Sequence, residues 1–120
     1  MIQPQSIIKT ADNSGVRCVR CIRVLGSSYK KWASYGDLIK ASAINVLSKS
    51  KIKKGQVVNA IVIRCNRAFK RNSEHIKFNE NAVVILNDKL EPFGTRVIGP
   101  VLKEIKFLNS KVFSLVSESI

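Results

Sequence analysis

The sequence predicts one mainly β domain: a β-barrel of short strands with its projections over residues 1–99, capped by small helices over 100–120. Three observations carry that expectation. Segments rich in β-branched residues recur through the first hundred positions, clusters of turn residues separate them, and the hydrophobic period changes after Gly99-Pro100. A chain of 120 residues fits one compact domain, with too little chain for two independent cores. Closing the strands on themselves removes the unpaired edges that would invite aggregation.

Ile7 and Ile8 lead into Asp12-Asn13-Ser14-Gly15, where short polar side chains can bond the local backbone and glycine tolerates a positive φ. Val16 to Leu25 reads as the next strand. Its alternation is imperfect because Arg17, Arg20 and Arg23 recur every three residues, so either a bulge resets the register or both faces are partly covered. Leu38 to Val46 is a further strand. Lys54-Gly55 then turns the chain into Val57 to Cys65, the strongest strand signal present. Ile76-Lys77-Phe78 and Ala82 to Leu86 flank Asn79-Glu80-Asn81, which reads as a hairpin turn. Pro100 suits a first helical position, and Leu102, Ile105 and Leu108 share one helical face. A second helical turn is expected near Ser110, using Val112, Phe113 and Val116.

The charge is strongly one-sided: 21 Lys and Arg against 8 Asp and Glu give a formal +13. Such an excess repels itself in a compact state and calls for a polyanionic partner, nucleic acid ahead of an anionic membrane surface. Apolar runs such as Ala82 to Leu86 are far too short to span a bilayer as a helix. Residues 1–5 show no charged or apolar leader segment, so the chain is expected to act where it is made, or after loss of a presequence. Three cysteines, an odd number, fit a reducing compartment better than a disulfide framework.

Nine basic residues and no acid lie between Asp37 and Glu74. They include two clusters: Lys49, Lys51, Lys53 and Lys54 in a loop between strands, and Arg64, Arg67, Lys70 and Arg71 in a segment expected to project as a basic ribbon or loop tip. Loops on a rigid barrel can reach phosphates, and arginine adds bidentate bonds to their oxygens. One such run would be an ordinary solvated face; two uncompensated runs on so basic a chain favour a polyanion surface. Tyr29, Lys30, Lys31, Trp32 and Tyr35 interleave aromatic and basic residues. They fit either a base-stacking platform or a barrel rim covered by rings and lysine stems.

Catalytic and metal chemistry find little material. Cys18-Val19-Arg20-Cys21 is half of a zinc signature placed inside a strand, and only Cys65 and His75 remain to complete it, so no metal is expected. No phosphate-binding glycine loop, nucleophile elbow or paired carboxylate is present, and no cofactor is expected.

Six segments carry a more specific likeness: Ala11-Asp12-Asn13-Ser14-Gly15, Gly36-Asp37-Leu38-Ile39-Lys40, Lys53-Lys54-Gly55, Ala60-Ile61-Val62-Ile63-Arg64, Asn81 to Asn87, and Gly94-Thr95-Arg96-Val97-Ile98-Gly99-Pro100-Val101. In this order and spacing they resemble the universal large-subunit ribosomal protein fourteen family, in its bacterial and organellar form, along essentially the whole chain. The resemblance implies a five-stranded β-barrel, a protruding basic β-ribbon and small carboxy-terminal helices. It further implies a non-catalytic constituent of the large subunit that binds large-subunit rRNA beside ribosomal proteins three and nineteen. It also implies an intersubunit bridge to small-subunit rRNA, and a silencing factor docking near Thr95 and Arg96. The chain departs from the family at Asn72-Ser73-Glu74, in place of a Pro-Asp-Gly tip, and at Asp88 to Pro92, which is shortened.

On these grounds Lys49, Lys51, Lys53, Lys54, Arg64, Arg67, Lys70 and Arg71 are expected to contact rRNA, and Thr95 and Arg96 to face the bridge or factor. A free nucleic-acid-binding barrel and an RNA-directed enzyme are the competing readings. The richness in Ile, Lys and Asn, together with Cys18 and Cys21, points to a mitochondrial ribosome ahead of a plastid or bacterial one.

Overall fold

The computed structural model describes residues 2–26, 28–71 and 73–120, except for the side chain of Arg71. Strands β1 (Ile7–Thr10), β2 (Val16–Val24), β3 (Leu38–Val46) and β4 (Val57–Arg64) form an antiparallel meander. A two-stranded ribbon follows, β5 (Phe69–Arg71) and β6 (Glu74–Ile76). Strand β7 (Ala82–Leu86) then pairs antiparallel with β4 and parallel with β1, closing a barrel of order β1-β2-β3-β4-β7. A ring with an odd number of strands cannot be antiparallel at every joint, and β1–β7 is where the direction repeats.

Bulges resolve the three-residue arginine spacing in β2. Register shifts fall between Val16 and Cys18, Cys18 and Val19, and Cys21 and Arg23. They keep Val16, Val19, Cys21 and Val24 inside while Arg17, Arg20 and Arg23 stay outside. Strands β4 and β7 have a different reason for lacking alternation. Val58, Ala60, Val62, Val83 and Ile85 fill the barrel, whereas Ile61, Ile63, Val84 and Leu86 face a second core under the carboxy-terminal segment. A strand buried on both faces reads as a continuous apolar run.

That segment contains β8 (Val97–Val101), the single helical turns α1 (Ile105–Leu108) and α2 (Ser110–Phe113), and β9 (Val116–Ser119), which returns parallel to β8. Val97, Val101, Leu102, Ile105 and Val112 close the second core. Two local expectations are corrected here. Pro100 starts no helix but sits in β8, whose sheet has only two strands, where a residue without an N–H is tolerated. Val116 likewise belongs to a strand. The helical cap is therefore two turns framed by a parallel strand pair.

The expected hairpin at 79–81 is also overturned. Residues 76–78 do not pair with 82–86: β6 pairs with β5, and β7 is taken by β4 and β1 on its two edges. Burying all five residues of β7 outweighs a local turn. Residues 65–81 form one long excursion whose neck is tied where the Asn66 N–H donates to Asn81 Oδ1 at 2.8 Å.

Candidate nucleic-acid interface

The topology sorts the loops to two ends of the barrel. Strand β4 runs between them, and its eight residues set them about 25 Å apart. One end carries the 12–15 turn, the 47–56 loop and the 88–96 segment. The other carries the 25–37 loop, the ribbon and the amino-terminal residues.

At the first end Lys49, Lys51, Lys53 and Lys54 are exposed. No ion pair is recorded for any of them among the described residues. Their loop is anchored by the residue they surround: Ile52 is 1% exposed and belongs to the barrel core. The Ser50 hydroxyl donates to the Ser14 carbonyl at 3.1 Å and accepts from the Ile52 N–H at 3.1 Å. The Leu47 N–H donates to the Gly15 carbonyl at 2.8 Å. Gly15 has φ +96°, and a Cβ there would stand 2.7 Å from that of Ser50, so the loop seats against glycine alone. An apolar residue inside a lysine run was the signal for this anchor.

Thr95 and Arg96, both exposed, meet the same turn. Asn13 Oδ1 accepts the N–H groups of Thr95 at 2.7 Å and Arg96 at 3.3 Å, and Asn13 Nδ2 donates to Thr95 Oγ1 at 2.7 Å. Beneath it Asp12 is buried, accepting from the Ile85 N–H at 3.0 Å and the Ser14 hydroxyl at 2.8 Å. Burial pushes its carboxyl above the ordinary value, opposed by the hydrogen bonds from Ser14 and Ile85. Asn13, Ser14, Lys49, Lys51 and Phe93 line a cavity of about 330 Å³ between these segments.

At the second end Arg67 and Lys70 are exposed, with Lys70 opposite His75 in the ribbon. The backbone of Arg71 pairs with Glu74; its side chain, and Asn72 at the ribbon tip, lie outside the described residues. Tyr35 holds the root of this projection. Its hydroxyl donates to the Cys65 carbonyl at 2.7 Å and also contacts that of Arg67, and its ring packs edge-on to Phe69 with centroids 5.5 Å apart. Tyr35 therefore belongs to the fold, whereas Tyr29 and Trp32 are exposed.

Arg64, expected to contact rRNA, is instead drawn largely into the fold. It is 8% exposed, donating from one terminal nitrogen to the Ile98 carbonyl at 2.9 Å and the Pro100 carbonyl at 3.4 Å, while the other approaches Glu80 at 3.7 Å. Burial lowers its basicity and Glu80 partly restores it. Gly99, at φ +89°, makes room, since a Cβ there would lie 2.2 Å from the guanidinium. Arg64 clasps the carboxy-terminal segment to β4 and is largely committed within the fold.

The outer wall of the barrel also holds cations. Arg17, Arg20 and Arg23 are exposed, and Arg23 faces Lys40 across the β2–β3 ladder. Like charges directly opposite are unfavourable in an isolated sheet. The arginine spacing in β2 was the available clue.

Cys21 and Cys65 are buried and Cys18 half-buried, all with free thiols, and burial pushes the Cys21 thiol up. Among the described residues no group of three or more His, Cys, Asp or Glu could hold a metal ion, and no helix is long and apolar enough to cross a membrane.

A closed barrel with cationic loops at both ends and a cationic wall is the build of a scaffold that faces polyanions. Residues 1–120, the whole chain, match the family Ribosomal protein L14p/L23e, and the chain belongs to that family. It is thus a structural rather than catalytic protein of the large ribosomal subunit.

Proposed function

We propose that the chain binds large-subunit rRNA at both barrel ends at once, through Lys49, Lys51, Lys53 and Lys54 at one and Arg67, Lys70 and Arg71 at the other. The observation that carries this is the pair of cationic ends held about 25 Å apart by a stiff strand. Each cation that meets a phosphate releases counterions, and the fixed separation restricts which RNA segments satisfy both ends together.

Thr95 and Arg96 face a bridge to small-subunit rRNA, and the same segment receives a silencing factor. Family resemblance, together with the rigid seating of both residues on Asn13, supports that assignment. Ribosomal proteins three and nineteen are the expected neighbours. The Ile-, Lys- and Asn-rich composition favours a mitochondrial ribosome.

Gradient sedimentation tests the central reading. Replacing the four lysines, and separately Arg67, Lys70 and Arg71, by Gln is expected to move tagged protein out of large-subunit fractions, most strongly in combination. Undiminished co-sedimentation of the combined variant would overturn it. A native chain found mainly in light fractions would favour a free RNA-binding module.

A further inference from the structure

The aromatic residues of the 25–37 loop are divided by the fold. Tyr35 is drawn into the ribbon root, but Tyr29 is 90% exposed and Trp32 47% exposed. Trp32 has no ring partner among the described residues. The loop that presents them is braced. Ala33, fully buried, exchanges backbone hydrogen bonds with Ile2 at 2.7 and 3.0 Å, and Asp37 accepts from the Ser34 N–H at 2.8 Å and from Lys30 Nζ at 2.8 Å. Lys30 is thereby committed to Asp37, while Lys31 stays exposed between the two rings in sequence. At the loop's base lie Arg23 and Lys40, opposite one another with no acidic partner recorded among the described residues.

Tyr29 and Trp32 both present ring surface at the loop, and a braced loop lowers the ordering cost of placing a ligand on them. Every nucleobase has a π-face, and nearby cations meet the phosphates that join such bases. The surrounding charge disfavours another cationic protein as the occupant. The geometry points to Tyr29 and Trp32 as a stacking site for unpaired nucleotides of RNA, with Lys31, Arg23 and Lys40 on their backbone. This rests on the proposed rRNA binding and adds to it a preference for unpaired over duplex RNA at the ribbon end.

Trp32 is the sole tryptophan, so its emission reports on the site. The purified full chain is titrated with a short unpaired RNA and with a blunt duplex of the same composition. Unpaired RNA is expected to quench Trp32 emission, and duplex to leave it nearly unchanged. Tyr29→Ala and Trp32→Ala each weaken unpaired RNA binding roughly 5- to 150-fold with little effect on duplex, the range of single base stacks. Trp32→Phe, which retains a ring, restores most of the affinity and shows that the loop still folds. If both RNAs bind with salt- and lysine-dependent affinity while Trp32 emission and both alanine variants are unaffected, stacking is overturned and the rRNA reading stands. If neither RNA binds, the rRNA reading itself fails. If the alanine variants keep their RNA affinity but lose a neighbouring protein from isolated particles, the face is a protein contact and stacking is again overturned.

Discussion

Arg64 and Lys54 flank the same strand, yet their surroundings assign them opposite work. Lys54 is exposed, whereas Arg64 is enclosed among the Ile98 and Pro100 carbonyls and Glu80. Arg64→Ala is expected to cost roughly 1–3 kcal/mol of stability, because the part-buried Ile98 and Pro100 carbonyls lose their charged donor. In the folded protein it leaves the salt dependence of RNA binding unchanged. Lys54→Gln does the reverse. Urea unfolding and RNA titration on both variants check the pair, and an Arg64→Ala protein of native stability with weakened RNA binding would reverse the assignment.

Asp12 gives a pH dependence with a definite sign. Its carboxyl is raised by burial, so the folded chain keeps that proton to higher pH than the unfolded chain does. The folded state then binds more protons between about pH 4 and the raised value, and this group's contribution to stability falls as pH rises through that window. Asp12→Asn removes the titration and should flatten that part of the profile. Parallel pH–stability curves for the two proteins would contradict it.

At the scale of elements, each projection is held by an apolar or aromatic anchor and not by its charges. Ile52 pins the lysine loop to the barrel core. Ile52→Ala is expected to cost roughly 2–5 kcal/mol, the range for emptying a packed aliphatic site, although it removes no charge. Tyr35 does the same for the ribbon through the Cys65 and Arg67 carbonyls. Tyr35→Phe keeps the ring on Phe69 and Phe78 but loses the hydroxyl, for about 0.5–1.5 kcal/mol. Amide hydrogen exchange should quicken across 65–76 and stay slow in β4 and β7. Uniform protection in both proteins would show that the hydroxyl holds nothing.

On the scale of the whole molecule, the barrel spaces two cationic ends within an envelope of 44 × 33 × 26 Å. Affinity for RNA should therefore fall steeply with salt. Replacing the four lysines of the 47–56 loop by Gln should reduce the log–log salt slope by about 3, if each meets one phosphate. A slope that does not change would show that the loop touches no phosphate.

The barrel strands from β1 to β4 and β7, the turns at 12–15 and 54–55 and the cationic clusters were legible in the sequence, because each depends on neighbours along the chain. Leu38–Val46 has the predicted bounds, and Val57–Arg64 ends one residue short. The pairing of β6 with β5, the strand fate of Pro100 and Val116, the outward turn of the β2 arginines and the burial of Arg64 were decided by tertiary structure. For β7, Pro100 and Val116 a local preference worth a few tenths to about one kcal/mol yields to burial against the second apolar core, worth several; in β2 bulges set the direction of the arginines, and Arg64 is drawn in by the Ile98 and Pro100 carbonyls. Which cations remain free for a partner depends on which carbonyls and carboxylates the fold brings beside them, and residues distant in the chain supply those.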